Sequence, residues 1–520
     1  MRRLLALLFA FVLVATACGG DDGGATADPD PEGSDAGDAG NDDSGDGAEG
    51  GGAVGEGGGA TDQGLVETLG LPECPVGAHI DVDGTVEIDF WHAYTAQTAE
   101  AMEDLAAGFN ASQDQIVVTP QAQGSYEELL AKYRESIAFD DLPALAVTDA
   151  QAFRDVVDSG TVLPAQSCVE ADQFPLTGID ELIRSSFSID GALYPSATFI
   201  STPVLYYNRT HFEEAGLDPD SPPRTLAEVR DAARAIKAAG VATTPLSFLM
   251  QGWFVDTWLT GADVPLIDAD NGRAGNATEA TFNGPEALEI YELLKEMNDE
   301  GLILPFSNVP GEVGQFLALA NPGTASMLFE TSTASTTIAG VLGGTSNLSD
   351  LITDAGLDEE AVGETDLTID VGVAPFPGLT EPGRIFAAGG LVYMTDTGTD
   401  AERAAAWEFV KYINEAAQQK IIHLKGSYLP VNAEVANDPE VQAVWENDAA
   451  GQWLATAFGQ LADIDPDFPG PIVGPFTEHR DIINASLEQL LLSGADPATV
   501  LADAEADVTE ALEAYLDANF

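Results

Sequence analysis

Positive charge is what this sequence has least of: 19 Lys and Arg stand against 87 Asp and Glu in 520 residues, a formal net charge of −68. Nucleic acid is excluded as a partner, because phosphate binding needs clustered cations. Cysteine is nearly absent, with three in the whole chain, too few for a dense disulfide framework or a thiolate cluster. The five histidines, His79, His92, His211, His423 and His479, show no paired ligand spacing, so neither a metal nor any other cofactor is expected. No apolar run approaches the roughly 18 residues of a spanning helix. Large apolar side chains are not lacking. A hydrophobic fraction of 45% with 23 Phe and 6 Trp is ample for a packed interior, so the charge signals an acidic, solvated surface rather than disorder. The length exceeds one compact core and predicts two lobes.

Met1-Arg2-Arg3 and the apolar run Leu4 to Val14 form the basic region and short core of a secretory signal, predicted over 1–17. Export is expected. The run ends in Val14-Ala15-Thr16-Ala17-Cys18, which resembles the lipobox of bacterial lipoproteins. That resemblance implies lipidation of Cys18 and anchoring to the outer face of the cytoplasmic membrane. Residues 18–64 are mostly Gly, Asp, Ala and Ser, a composition that cannot offset the entropy of ordering, and are predicted to be a flexible tether. Cys74 and Cys168 remain as an even pair in an exported chain, which predicts a disulfide between the start of the folded part and its first lobe. Asp268-Ala269-Asp270-Asn271-Gly272 looks like the opening of a calcium loop. Its Gly comes one place early and no Glu stands at the twelfth position, so it reads as a turn.

Short apolar runs alternate with amphipathic stretches: Val86 to Trp91; Met102, Leu105 and Phe109 at helical spacing; Ile116 to Pro120; a helix around Tyr126 to Ile137; Ala144 to Thr148. This β-α-β-α-β order predicts an α/β fold with ligand sites at the carboxyl ends of strands. Further helices are predicted to stop at Gly240 and Gly301, and Thr399 with Glu402 reads as a capping box.

Phe90-Trp91-His92, Phe109-Asn110-Ala111, Gly124-Ser125-Tyr126-Glu127, Ser201-Thr202-Pro203-Val204-Leu205-Tyr206-Tyr207-Asn208, Ala215-Gly216-Leu217, Gly252-Trp253, Gly389-Gly390 and Gly426-Ser427-Tyr428-Leu429-Pro430 make the chain resemble the family 1 extracellular solute-binding proteins of ABC importers. Within that family it is most similar to the branch that binds glycerol 3-phosphate. The resemblance implies a two-lobed periplasmic-binding-protein fold with the ligand cleft between the lobes. Lobe 1 would hold 76–202 plus about 325–390, and lobe 2 about 203–324 plus 391–520. It further implies a monomer that hands a small solute to ABC permease subunits at the membrane.

The implied ligand-binding set is Tyr126, Asp149, Ser201, Trp253, Ser332, Gly390 and Tyr428. A phenol at Tyr126 offers an apolar face and a hydroxyl, and Asp149, after a strand, can accept from two ligand hydroxyls or cap the next helix. Trp253 is a stacking platform, Gly390 allows close backbone approach, and Tyr428 would close from the second lobe. One departure concerns specificity: where the glycerol-phosphate binders carry a phosphate-facing Arg in Gly-Leu-Arg, this chain has Gly470-Pro471-Ile472, and Arg480 is assigned to a helix. Loss of that fork removes the strongest phosphate donor, which favours a neutral carbohydrate or polyol over glycerol 3-phosphate or a glycerophosphodiester. A secreted glycoside hydrolase is the alternative of another class, needing two carboxylates at set separation. No nucleophile elbow, metal motif or phosphate loop accompanies it. A lipoprotein that only senses its solute has the same sequence features as a transporter's.

Overall fold

The computed structural model describes residues 64–176, 179–354, 357 and 365–519. The expected leader over 1–17, Cys18 and all of the 18–64 tether but Gly64 lie outside them.

Thirteen strands are formed among the described residues: β1 Val86–His92, β2 Ile116–Ala122, β3 Leu145–Asp149, β4 Val162–Leu163, β5 Ser188–Ile189, β6 Ala192–Leu193, β7 Ala197–Ser201, β8 Pro203–Asn208, β9 Leu246–Leu249, β10 Ile303–Phe306, β11 Met327–Thr331, β12 Val371–Pro375 and β13 Ala388–Thr395. One sheet runs β2-β1-β3-β13-β4 with β7 also on β13, and a second runs β10-β9-β11-β8-β12. β5 and β6 form a separate hairpin. The first sheet starts as the sequence pattern predicts. β1 alternates buried and exposed residues before ending fully buried, and pairs in parallel with β2 and β3. Between them lie the helices Ala96–Ser112 and Tyr126–Ile137, which supply the crossovers that parallel strands require.

Local chemistry sets the helix ends. The Leu226–Ala239 helix stops at Gly240 in the left-handed conformation, φ 75°, where an L side chain is disfavoured. Thr399 accepts from the Glu402 amide while Glu402 caps back, completing the predicted box. Ser125 and Glu128 form a second such box at the start of the Tyr126 helix.

The division of segments differs from the one expected. Residues 325–390 do not return to the first lobe as a block: β11 and β12 flank β8 antiparallel in the second sheet, with Phe329 opposite Leu205 and Val373 opposite Tyr206. All six residues of β8 are buried, so this central strand needs a partner on each edge. The return is made by β13, which places Gly390 opposite Asp149 of β3 and Phe199 of β7. Residues 391 to about 428 follow it. Trp407, Phe409, Val410, Ile422 and Tyr428 all pack in the first sheet's core with Phe90, Met102 and Phe109. Leu429, by contrast, belongs to a core over the second sheet with Val204 and Tyr206.

Cys74 and Cys168 are disulfide-bonded, 94 residues apart in sequence. The Asp268–Gly272 segment is a turn of unusual hand, with φ of 53° at Ala269, 55° at Asp270, 57° at Asn271 and 81° at Gly272.

Candidate functional site

At the carboxyl ends of β1 and β3 three phenols meet. Tyr126 is the first residue of its helix, fixed there by the Ser125 cap, and its hydroxyl lies 3.4 Å from that of Tyr94 and 3.1 Å from that of Tyr428. Tyr94 meets Tyr126 edge to face at 6.0 Å and packs against Tyr428 at 5.4 Å and Phe199 at 6.1 Å. A Cβ on Gly390 would fall 2.3 Å from the Tyr94 hydroxyl and 2.7 Å from that of Tyr126, so only glycine leaves room for the cluster. Burial holds all three phenols above their usual range, with mutual repulsion adding to it at Tyr94 and Tyr126, and pushes Tyr428 to about 12. They are neutral donors and acceptors, the form that suits hydroxyl-bearing solutes.

Two histidines back this cluster. His92 accepts from the Tyr94 amide at Nδ1, 3.3 Å, and stacks on the Tyr94 ring at 5.7 Å. His423 receives the Trp445 indole N–H at Nε2, 2.8 Å. Since an indole only donates, Nδ1 of His423 carries the proton and donates to the Tyr428 carbonyl at 2.7 Å.

Beside the phenols lies a charged network joining the lobes. Arg480, in the first turns of the helix Phe476–Leu492 and 8% exposed, donates to Glu127 Oε1 at 2.9 Å, Asp149 Oδ2 at 2.8 Å and Gln151 Oε1 at 2.7 Å. Asp149 also caps the following turn through the Gln151 amide, 2.9 Å, so one carboxylate serves both the turn and Arg480. Gln151 reaches Asp256 at 3.4 Å, and Asp256 meets His479 at 3.2 Å. Burial opposes the Arg480 charge, but Asp149 and Glu127 outweigh it and hold the guanidinium above its usual pKa. Burial likewise pulls Glu127 upward, and Arg480 with nearby hydrogen bonds draws it below the carboxylate range.

Of the seven expected ligand residues, Tyr126, Asp149, Gly390 and Tyr428 are brought together here. Tyr428 does not approach from the second lobe, however. It sits in the first sheet's core, because Leu429 bonds back to Ile200 at 2.7 Å. Ser201 and Ser332 lie at the strand crossing, where the Ser332 amide donates to the Thr202 carbonyl at 2.8 Å and its hydroxyl accepts from the Thr202 amide at 3.2 Å. Trp253 stands on the helix Gly252–Gly261, stacked on Phe254 at 5.5 Å and 9% exposed. Its helix contributes Asp256 to the network instead. Sequence reasoning gave no site role to Tyr94, Glu127 or Gln151, and set Arg480 aside as a helix residue. The position of Tyr94, two residues past the end of β1, was the available signal. Arg480 is helical as expected, yet its side chain reaches the other lobe, so a guanidinium is present in the site after all. Among the described residues no group of acidic residues, histidines or cysteines is arranged to hold a metal.

Residues 104–449 match the family described as bacterial extracellular solute-binding protein. The sn-glycerol-3-phosphate-binding periplasmic protein of Rhizobium meliloti is 22% identical over 432 residues, covering 82% of this chain and 93% of the relative. In fold the chain is similar to the cyclic alpha-maltosyl-1,6-maltose binding protein of Arthrobacter globiformis, with TM-score 0.62, 23% identity and coverage of 83% and 100%. It is similar also to a glycerophosphocholine-bound protein of Mycobacterium tuberculosis, with TM-score 0.62, 17% identity and coverage of 84% and 99%.

Proposed function

Because the chain belongs to the bacterial extracellular solute-binding proteins, we propose that it captures a small polyhydroxylated solute between its lobes and delivers it to an ABC permease. The observation that carries the reading is the convergence of Tyr94, Tyr126 and Tyr428 on one another beside Asp149, at the ends of β1 and β3. Neutral phenols and a carboxylate bind hydroxyl groups, and aromatic faces bind the CH surfaces of a sugar or polyol. Membership of this family supports export. Lipidation at Cys18 with anchoring to the cytoplasmic membrane, action as a monomer, and binding rather than turnover complete the proposal.

A second reading, glycerol 3-phosphate or a glycerophosphodiester, is favoured by Arg480. Its guanidinium stands in the site, and a phosphate could replace Asp149 and Glu127 as its partner. The relatives named for glycerol 3-phosphate support the same reading.

A thermal-shift screen separates the two. Glycerol 3-phosphate, glycerophosphocholine and a panel of sugars and polyols are each added to purified protein. A true ligand at a hundred times its Kd adds about 2.7 kcal/mol to stability. Stabilisation by sugars alone supports the neutral reading, and by phosphorylated compounds the second. No response from either class, or consumption of the solute, overturns the proposal.

A further inference from the structure

Three lobe-1 groups hold the Arg480 guanidinium, and they differ in their access to solvent. The Asp149 side chain is 15% exposed and that of Glu127 43%, while Gln151 is half-buried. Asp149 and Gln151 bond to Nη2, at 2.8 and 2.7 Å, and Glu127 bonds to Nη1, at 2.9 Å. The more open edge of the guanidinium is therefore the one that Glu127 covers. An anion approaching Arg480 from solvent has to displace Glu127 first.

Glu127 is held in that place from two directions. It lies in the first turn of the helix Tyr126–Ile137, where the aligned backbone dipoles favour a negative charge, and Arg480 adds a charge-assisted hydrogen bond. Helix amino termini and guanidinium groups are what proteins turn toward phosphate. Here the chain's own carboxylate answers to both.

The neighbours add to the negative balance. Glu478 and Asp481 flank Arg480 in sequence. Burial raises the Asp481 carboxyl, and repulsion from Glu478 and Glu127 adds to it against the pull of Arg480. Gln151 turns its amide to Asp256. One guanidinium thus meets two carboxylates directly, and further carboxyl groups stand close behind them. A carboxylate only accepts hydrogen bonds, so a sugar or polyol hydroxyl can donate to Glu127 and a fully ionised phosphate cannot.

We infer that Glu127 is a specificity-determining residue: it occupies the guanidinium edge that a phosphate or sulfate ester needs, and so keeps anionic solutes out while admitting neutral polyhydroxylated ones. The inference deepens the neutral-solute reading of the proposed function and rests on it.

The probe is glycerol 3-phosphate, titrated by calorimetry at low, constant ionic strength into wild type, Glu127→Gln, Glu127→Ala and Glu127→Asp, with circular dichroism reporting the fold of each. Gln removes the charge and keeps the shape, Ala also clears the guanidinium edge, and Asp keeps the charge. Glu127→Ala or Glu127→Gln should bind the probe roughly tenfold or more tighter than wild type, and the gain should shrink as salt is raised. Glu127→Asp should stay with wild type. Adding Arg480→Met to Glu127→Ala should abolish the gain. No gain in either uncharged variant overturns the inference, as does an equal gain in Glu127→Asp or one that survives in the folded double variant. Glucose and ribitol, titrated in parallel, separate the two readings. Wild type that prefers glycerol 3-phosphate to both sinks the neutral reading and this inference together. Wild type that binds a neutral solute, with no gain for glycerol 3-phosphate in the variants, sinks this inference alone.

Discussion

Arg480 Nη2 and Asp149 Oδ2 meet at 2.8 Å across 331 residues of sequence, and this contact ties the helix Phe476–Leu492 of one lobe to the strand end of the other. Breaking a buried pair from one side leaves the other charge uncompensated. Arg480→Met should therefore lower stability by about 3 kcal/mol, toward the low end because the Glu127 side chain is 43% exposed. Urea unfolding measures it. A loss within about 0.5 kcal/mol, the range of an ordinary surface change, would show that the contact holds nothing together.

Gly390→Ala tests the phenol cluster. The added methyl must displace two rigid aromatic side chains whose hydroxyls lie 2.3 and 2.7 Å from its position. Affinity for the solute found in the screen should fall at least tenfold, about 1.4 kcal/mol, while circular dichroism stays that of the wild type. Equal affinity would remove the cluster from the site.

Acid should weaken the fold through His423. Burial lowers its pKa to about 4 from 6.5, so the folded protein keeps it neutral while the unfolded chain protonates it near 6.5. The unfolded state then binds more protons between those values. The contribution is full above pH 6.5 and is lost as pH falls toward 4, up to roughly 3 kcal/mol. Asp155, raised to about 6 by burial, acts in the opposite sense over part of that window. The test is therefore the difference between wild type and His423→Gln in denaturant unfolding from pH 7.5 to 4.5. Parallel curves would contradict the assignment.

Removing the Cys74–Cys168 disulfide by the double serine replacement should cost about 2–5 kcal/mol, since it closes a long loop in the unfolded chain. Thermal unfolding with and without reductant reads the loss. Reductant that changes nothing in the wild type would mean the bond does not form.

Trp253→Ala and Tyr126→Ala should differ in kind. Trp253 is stacked in the second lobe's core, so its truncation costs about 3–5 kcal/mol of stability, whereas Tyr126 at a helix start should affect affinity first. Equal stability loss in both would erase that distinction.

Much of this protein was legible along the chain. The alternation of Val86 to Trp91, the apolar stripe of Met102, Leu105 and Phe109, the stop at Gly240 and the Thr399–Glu402 box each depend on residues within one or two turns. The pair Cys74 and Cys168 was legible because only two thiols remained to the folded part, and Tyr126 and Gly390 because their motifs are local.

Partnership was not legible, because periodicity tells which side chains turn inward but not what they meet. β11 and β12 lie in the stretch expected to return to the first lobe, and the need of the buried β8 for partners on both edges sent them to the second sheet. Tyr428 followed its neighbour Leu429 onto Ile200. Arg480 had the sequence context of an ordinary helix residue, and it became a bridge only when packing brought a guanidinium, two carboxylates and an amide from distant segments into one buried volume. Sequence alone determined the elements and the acidic balance. Tertiary structure decided which charges would be buried together, because that choice depends on electrostatics at a few ångströms between groups hundreds of residues apart.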